Sequence, residues 1–542
     1  MKKAIVVLVE WREQKRAENY SLGLNYIHAA IVASGNISHT LITNEKDIEK
    51  ICESISSIKP DIVGLKLYDE TAEVVFKISS YLKDLLPQSL IVVGGHTATL
   101  NASLILNQEK SIDLVSNGEG EETFVELCEI VKNAGDLSKC KGITYRHIDG
   151  EIYANAKRDN IENLDQLTLP DSKIFLDTNS KFLVYAISTS RGCIGNCYFC
   201  VVNHVYELNG KKQWRGMSPK KIIREINNIC RENPDKKLFI KFLDSSIENP
   251  NPKTKERIIE IIDGIEQMDY KIKFSFFSRA ESWSEKDANL ILRMKNAGLY
   301  KIYLGFDESI KRYSIRETTE KMICEENVKA NNLFKSNNIK ITGYLIIFQP
   351  FITLKQLVAV AQFIDKIDMS YSPDVWTQEV ILFSDTSLFH DVVAAGLLLG
   401  TTDNGYSYAY AFEDGRVGAL KNKICEIKTL ASYQAIRNTI LKIELELEEL
   451  ELSEIDDEIQ VIINEYKTKI GYEYSYLGEK QKELFISAID NASRDSSLHI
   501  YKDIIRRWGR LMAEAQKRLE IIWLRNRVFL LRKGVIKNGE GE

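Results

Sequence analysis

The chain has 542 residues, of which 44% are hydrophobic and 27% charged, a globular composition too long for one core, so two to four domains are expected. A formal net charge of −5 and a pI near 6.0 argue against a general nucleic-acid binder. No apolar run reaches the roughly 18 residues of a membrane span, and an odd set of nine cysteines is no secreted disulfide framework; a cytoplasmic, reducing compartment is expected.

The opening MKKAIVVLVEWRE ends its short apolar run in charge and reads as a first strand, not a signal peptide. Strands are predicted at 4–9, 39–43, 61–67, 89–95 and 113–119, with amphipathic stretches such as TAEVVFKISSYLKDLL between them. These βα units and their short glycine-containing turns predict an α/β fold. A doubly wound, Rossmann-like parallel sheet is expected over residues 1–140, open to a ligand at the carboxyl ends of its strands. Residues 141–181 are polar and weakly periodic and read as a linker. A second series follows, with strands predicted at 182–188, 237–243, 272–277, 301–306, 341–348 and 376–383. Helical stretches such as SPKKIIREINNICREN separate them, which predicts a partial (β/α)6 barrel over 182–398 with its site at the carboxyl ends of the strands. Residues 399–542 are expected to form a mostly helical domain whose acidic and basic runs are solvated faces. Tyr406, Tyr408 and Tyr410 alternate as in a half-buried strand or an aromatic pocket wall.

The densest chemical signal follows the first barrel strand. Cys193, Cys197 and Cys200 lie within eight residues, on a loop with two glycines, and His204 comes four residues later. Thiolates select zinc, copper(I) or iron–sulfur clusters. With His204 the set could close a Cys3His zinc site. With three cysteines alone it could hold a cubane cluster that keeps one iron open to a substrate. Spacing does not separate the two.

C-x3-C-x2-C with an aromatic residue, here Phe199, before the third cysteine resembles the signature of radical S-adenosylmethionine enzymes. WRGMSPKKIIREI, FSRAESW, YLGFDES, GYLIIFQPFIT and ILFSDTSLF are similar, in the same order, to segments of one subgroup, so the resemblance covers residues 182 to about 390. In front, IVVGGHTAT and NGEGEETF resemble the cobalamin-binding domain that precedes the barrel in the class B, methyltransferase-like members.

The resemblance implies that Cys193, Cys197 and Cys200 hold a [4Fe–4S] cluster whose open iron binds S-adenosylmethionine. It implies Asp244 as acceptor for the methionine ammonium, although the subgroup's acidic pair is replaced by DSS here. Arg279 becomes a candidate for the cofactor's carboxylate, and Asp307 and Glu308 compete for a polar group of the cofactor. On the front domain it implies a cobalamin seat at Gly94, Gly95, Thr97, Gly118 and Glu119, with glycines admitting a bulky planar ring. The D-x-H-x-x-G motif that supplies a lower cobalt ligand elsewhere is absent; His96 and His28 are expected as packing or surface residues. The implied activity is methylation of an unactivated carbon in a small molecule or peptide, through a 5′-deoxyadenosyl radical and methylcobalamin. Cyclisation, ring contraction or oxidation with the same cofactors is the alternative. An external electron donor such as flavodoxin or ferredoxin is implied, and neither nucleic acid nor membrane is expected as a partner.

Overall fold

A computed structural model describes residues 2–12, 21–170, 182–202, 214–248, 255–307, 315–402, 405–452, 456–494, 498–533 and 535–536. His204 and Glu308, both named above as candidates, lie outside the described residues.

The first sheet grows from inner strands that are apolar on both faces, as a sheet covered by helices on both sides requires, with the more polar strand 37–43 at its edge. They are β1 (Ile5–Trp11), β2 (Ile37–Thr43), β3 (Ile62–Lys66), β4 (Leu90–Gly94) and β5 (Leu114–Ser116), joined in parallel. Two further strands, β6 (Ile143–Arg146) and β7 (Ile152–Ala154), extend the same sheet antiparallel. The segment read as a linker therefore begins as part of the front sheet. Its strands are short, and only the outer one, β7, lies at the sheet's edge, where it is largely exposed and periodicity is weak. The order is β2-β1-β3-β4-β5-β6-β7, so the chain changes winding direction between β1 and β3. A crevice opens at the carboxyl ends of the strands at such a switch point.

The second sheet is fully parallel, in the order β14-β13-β12-β11-β8. Its strands are β8 (Phe182–Ile187), β11 (Lys237–Phe242), β12 (Ile272–Arg279), β13 (Leu299–Gly305) and β14 (Lys340–Tyr344), with the two-residue pair β9 (Ser190–Arg191) and β10 (Arg215–Gly216) beside it. Helices between them behave as their sequences predict. Ser218 caps Pro219–Glu232, accepting from the Lys221 N–H, and proline starts the helix where its missing N–H costs nothing. The expected sixth strand at 376–383 is reduced: a 3-10 turn takes Val375–Thr377, and one parallel bridge joins Phe348 to Glu379.

Past the barrel, β15 (Leu398–Thr401) and β16 (Tyr408–Tyr410) pair antiparallel, and the helices Ala431–Leu452, Asp457–Ser493 and Leu498–Arg532 follow. These helices share one apolar core with the barrel, through Trp376, Phe485 and Trp508 among others. Gln481 ties them polar-side, donating to the carbonyls of Ser370 and Tyr371 at 3.0 and 2.9 Å and accepting from the Trp508 indole at 3.0 Å. Tyr406 goes elsewhere: it is buried in the front sheet's core, 6.2 Å from the ring of Phe76.

Candidate functional site

The cysteine loop leaves β8 and is fixed from below. Asp244, just past β11, is buried and accepts from the Thr189 hydroxyl at 2.6 Å and from the Ser190 N–H. Arg257 donates to the Thr189 carbonyl and hydroxyl at 2.7 and 2.8 Å. Both Asp244 oxygens thus hold the backbone entering the loop, and burial raises its carboxyl pKa despite the nearby Arg257. Further along, the Cys200 N–H donates to the Cys197 carbonyl at 3.2 Å, and the Leu388 N–H to the Tyr198 carbonyl at 2.9 Å. Phe199 lies edge-on to Tyr198 at 5.3 Å, and both pack in a small apolar cluster with Leu382, Leu388 and the β15–β16 hairpin.

All three cysteines are half-buried and unbridged. Cys193 Sγ accepts from the Gly195 N–H at 3.3 Å and from Arg279 Nη2 at 2.8 Å, donors that suit a thiolate. Among the described residues, no three His, Cys, Asp or Glu side chains are gathered around one metal-ion position. The loop's chemistry fits the cluster: three soft donors, none satisfied by a disulfide, on a partly open loop at a strand's carboxyl end.

Arg279 closes β12 and is fully buried. Beyond Cys193 it donates to Ser246 Oγ at 2.9 Å and stands 3.7 Å from Glu248. Glu248, unforeseen in the sequence, is also buried and accepts from the Ser278 hydroxyl at 2.5 Å, the Arg279 N–H at 3.2 Å and the Ser246 hydroxyl. Burial alone would raise its carboxyl pKa; the Arg279 guanidinium and the two serine hydroxyls outweigh that and lower it. The run DSSIE carried the signal, an acid four residues after Asp244.

Asp307 follows β13 and is buried, with its Oδ2 lacking a hydrogen-bond partner among the described residues. Burial pushes its carboxyl up to about 7. Because the folded value exceeds the unfolded one, the stability this group contributes is present below about pH 4 and lost as pH rises through about 7. Asp307→Asn is therefore expected to stabilise the chain at pH 8 by on the order of 4 kcal/mol, with most of the advantage gone at pH 4. Denaturant melts at the two values check it, and equal differences at both would refute the assignment.

Facing the loop is a cavity of about 520 Å3 between the two sheets. Its front wall is Lys66, Gly94, Gly95, His96, Gly118 and Glu119; its back wall is Ser188, Ser190, Arg191, Gly192, Val201 and Val202, which flank the cysteines on both sides. Gly95 has φ +108° and Gly118 φ +74°, conformations that glycine adopts freely. A Cβ on Gly118 would meet nothing within 4 Å, and one on Gly94 only Ser116 at 3.8 Å, so this glycine floor keeps the cavity open. Thr97 does not belong to the lining: it is buried and donates to Asp69 Oδ1 at 2.7 Å. Helical turning brings Thr99 to the cavity instead, where its hydroxyl accepts from the Gly118 N–H at 3.0 Å. His96 lines the cavity beside Tyr68, ring centres 5.6 Å apart.

Glu119 has a second task. Its carboxylate accepts from Arg215 at 2.7 and 3.2 Å and from the Ile161 N–H at 2.8 Å, and Arg191 lies 3.3 Å away. Arg191 also pairs with Glu121. The front domain is thereby clamped to the barrel beside the cavity mouth.

A doubly wound domain and a second parallel sheet with a three-cysteine loop share one cavity. Residues 16–128 match the family model of the B12 binding domain. The chain is similar to an uncharacterized methyltransferase of Pyrococcus horikoshii, 28% identical over 65% of this chain and 73% of that one. It is also similar to the anaerobic magnesium-protoporphyrin IX monomethyl ester cyclase of Rubrivivax gelatinosus, 24% identical over 56% of this chain and 54% of the cyclase. In fold it matches the cobalamin-dependent S-adenosylmethionine radical enzyme OxsB, solved with aqua-cobalamin and S-adenosylmethionine, with TM-score 0.71 and 18% identity over 99% of this chain and 82% of that one. The resemblance read from the cysteine loop and the glycine turns is borne out in the fold and in the B12-binding domain. Among the described residues no helix is long and apolar enough to cross a membrane.

Proposed function

We propose that this chain uses a [4Fe–4S] cluster, S-adenosylmethionine and cobalamin to methylate an unactivated carbon of a small-molecule or peptide substrate. One observation carries the reading: the glycine-floored cavity at the front sheet's switch point is walled on its far side by the residues that flank Cys193 and Cys200. Whatever the cavity seats faces whatever the cysteines hold. Cys193, Cys197 and Cys200 would hold the cluster, and Gly94, Gly95, Gly118 and Thr99 would take the corrin. The bound groups supply reductive cleavage of a sulfonium and a transferable methyl group. The chain's own part is placement. Asp244 fixes the entry to the cysteine loop, Glu119 holds the two domains together, and the aromatic pair Tyr198–Phe199 backs the loop with apolar surface. Electrons would come from an external donor such as flavodoxin or ferredoxin.

Similarity to a cyclase favours a second reading, in which the same cofactors drive ring formation or oxidation without methyl transfer. Anaerobic reconstitution with iron, sulfide and hydroxocobalamin, followed by S-adenosylmethionine and reductant, separates the two. 5′-Deoxyadenosine together with S-adenosylhomocysteine supports the methyltransferase. 5′-Deoxyadenosine alone supports the second reading, and a colourless protein yielding neither refutes both.

The cavity floor can be tested separately. Gly94→Leu grows a side chain past Ser116 into open space, so the fold is expected to persist while cobalamin retention falls by about tenfold or more, the effect of losing some 1.4 kcal/mol. Absorbance of the bound corrin after gel filtration measures it, and full retention would place the corrin elsewhere.

A further inference from the structure

We propose that Arg279 is a positioning residue for the Cys193 thiolate, held against it by Glu248, and not an anchor for the carboxylate of S-adenosylmethionine. The inference rests on the reading above that the three cysteines hold a cluster.

The guanidinium lies underneath the cysteine loop. It is fully buried, 2.8 Å from Cys193 Sγ, and absent from the lining of the cavity. The loop is shaped to admit it: a Cβ on Gly195 would lie 2.7 Å from Arg279 Nη2 and 3.2 Å from its Cζ. A side chain at position 195 would force the guanidinium to move. From below, Ser246 accepts from Nη1 at 2.9 Å, and Glu248 balances the charge at 3.7 Å. Glu248 is itself locked, by the Ser278 hydroxyl at 2.5 Å and the Arg279 N–H at 3.2 Å, and the Trp283 indole donates to that same hydroxyl at 2.7 Å.

Burying an arginine costs several kcal/mol unless opposite charge faces it. Glu248 supplies one face, and a thiolate-ligated cluster would supply the other. A guanidinium fixed between Cys193 on one side and Ser246 and Glu248 on the other is committed to that position and cannot also swing to an incoming cofactor. A cation and a hydrogen bond at a ligand sulfur favour the more negative, reduced cluster, so Arg279 should raise the reduction potential. Through Arg279, Glu248 would act on a sulfur it does not touch.

The test uses the full chain, reconstituted anaerobically with cluster and cobalamin, and a redox titration followed by electron paramagnetic resonance without S-adenosylmethionine. Arg279→Met paired with Glu248→Gln removes both charges together, so no uncompensated carboxylate is left buried. The expected result is wild-type iron and sulfide content with the reduction equilibrium shifted about tenfold toward the oxidised cluster, about 59 mV more negative for a one-electron couple. Affinity for S-adenosylmethionine should be unchanged. An unmoved potential in a loaded double variant overturns the proposal, most clearly if cofactor affinity falls tenfold instead. Should the double variant not assemble, Ser246→Ala keeps both charges and removes the hydroxyl that links the guanidinium to Glu248; a smaller shift in the same direction supports the proposal and none refutes it. Wild-type protein that binds no iron would defeat the cluster reading itself, a result distinct from these.

Discussion

Cys197→Ala is expected to leave a folded chain that still binds cobalamin but makes no 5′-deoxyadenosine. Cys197 is only half-buried, so truncating it removes little apolar packing. The loop's hold on the barrel lies in other residues: Asp244 on Thr189 and Ser190, and the Leu388 N–H on the Tyr198 carbonyl. The substitution therefore acts on the donor set. Two thiolates remain where three are needed, and the loss of turnover should exceed the roughly 100-fold typical of removing an outer-shell partner. Iron and sulfide content, the brown absorbance and deoxyadenosine release should vanish together, while the corrin spectrum stays. A variant that keeps both colour and product would show that the cluster, if present, is held elsewhere.

Much of this was legible in the sequence because it is written in local patterns. The strands of both parallel sheets are apolar runs, and the structure moves most of their ends by only a few residues. The cysteine spacing and the GG turn declare themselves within ten residues. What escaped is what depends on partners far away in the chain. β6 and β7 look like linker because an edge hairpin needs little apolar sequence once the sheet beside it exists. Thr97 and Thr99 are both beside the GG turn, and only the turn of the following helix decides which faces the cavity. Asp244 and Arg279 were recognised as strand-end charges. Their roles toward the loop depend on Thr189, Ser190, Ser246 and Glu248, and no periodicity announces that set. Tyr406 reads as part of a strand with Tyr408 and Tyr410, yet it seals the core of a domain that ends hundreds of residues earlier.

Glu119 is the sharpest case of such long-range dependence, and its replacement should have the largest effect on assembly. Its side chain is 7% exposed, and the two guanidiniums that share it, Arg191 and Arg215, are 11% and 8% exposed. Glu119→Gln keeps the shape and withdraws the charge that both arginines face. Removing one partner of a buried pair costs about 3–5 kcal/mol, because the remaining charge stays desolvated. Arg191 keeps Glu121, which places the expected loss toward the lower figure. The energy is concentrated where the front domain meets the barrel, so the loss should show as separation of the domains: a lower unfolding midpoint, faster proteolysis within 155–170, and weaker cobalamin retention, since the cavity has one wall on each side. The pH dependence supplies an internal control. Burial by itself would raise the Glu119 carboxyl pKa; Arg215 and Arg191 outweigh it and hold the value below the ordinary one. A depressed carboxylate contributes stability above its unfolded pKa of about 4.3 and loses it as pH falls through the folded value. Wild type and Glu119→Gln should therefore differ at pH 7 and converge in acid. A difference that persists unchanged at pH 3 would assign the effect to altered packing and not to the ion pair. The double variant Glu119→Gln/Arg215→Met should recover part of the loss, because it removes the stranded charge along with its partner, and cobalamin retention should recover with it if the clamp holds the cavity's two walls in register.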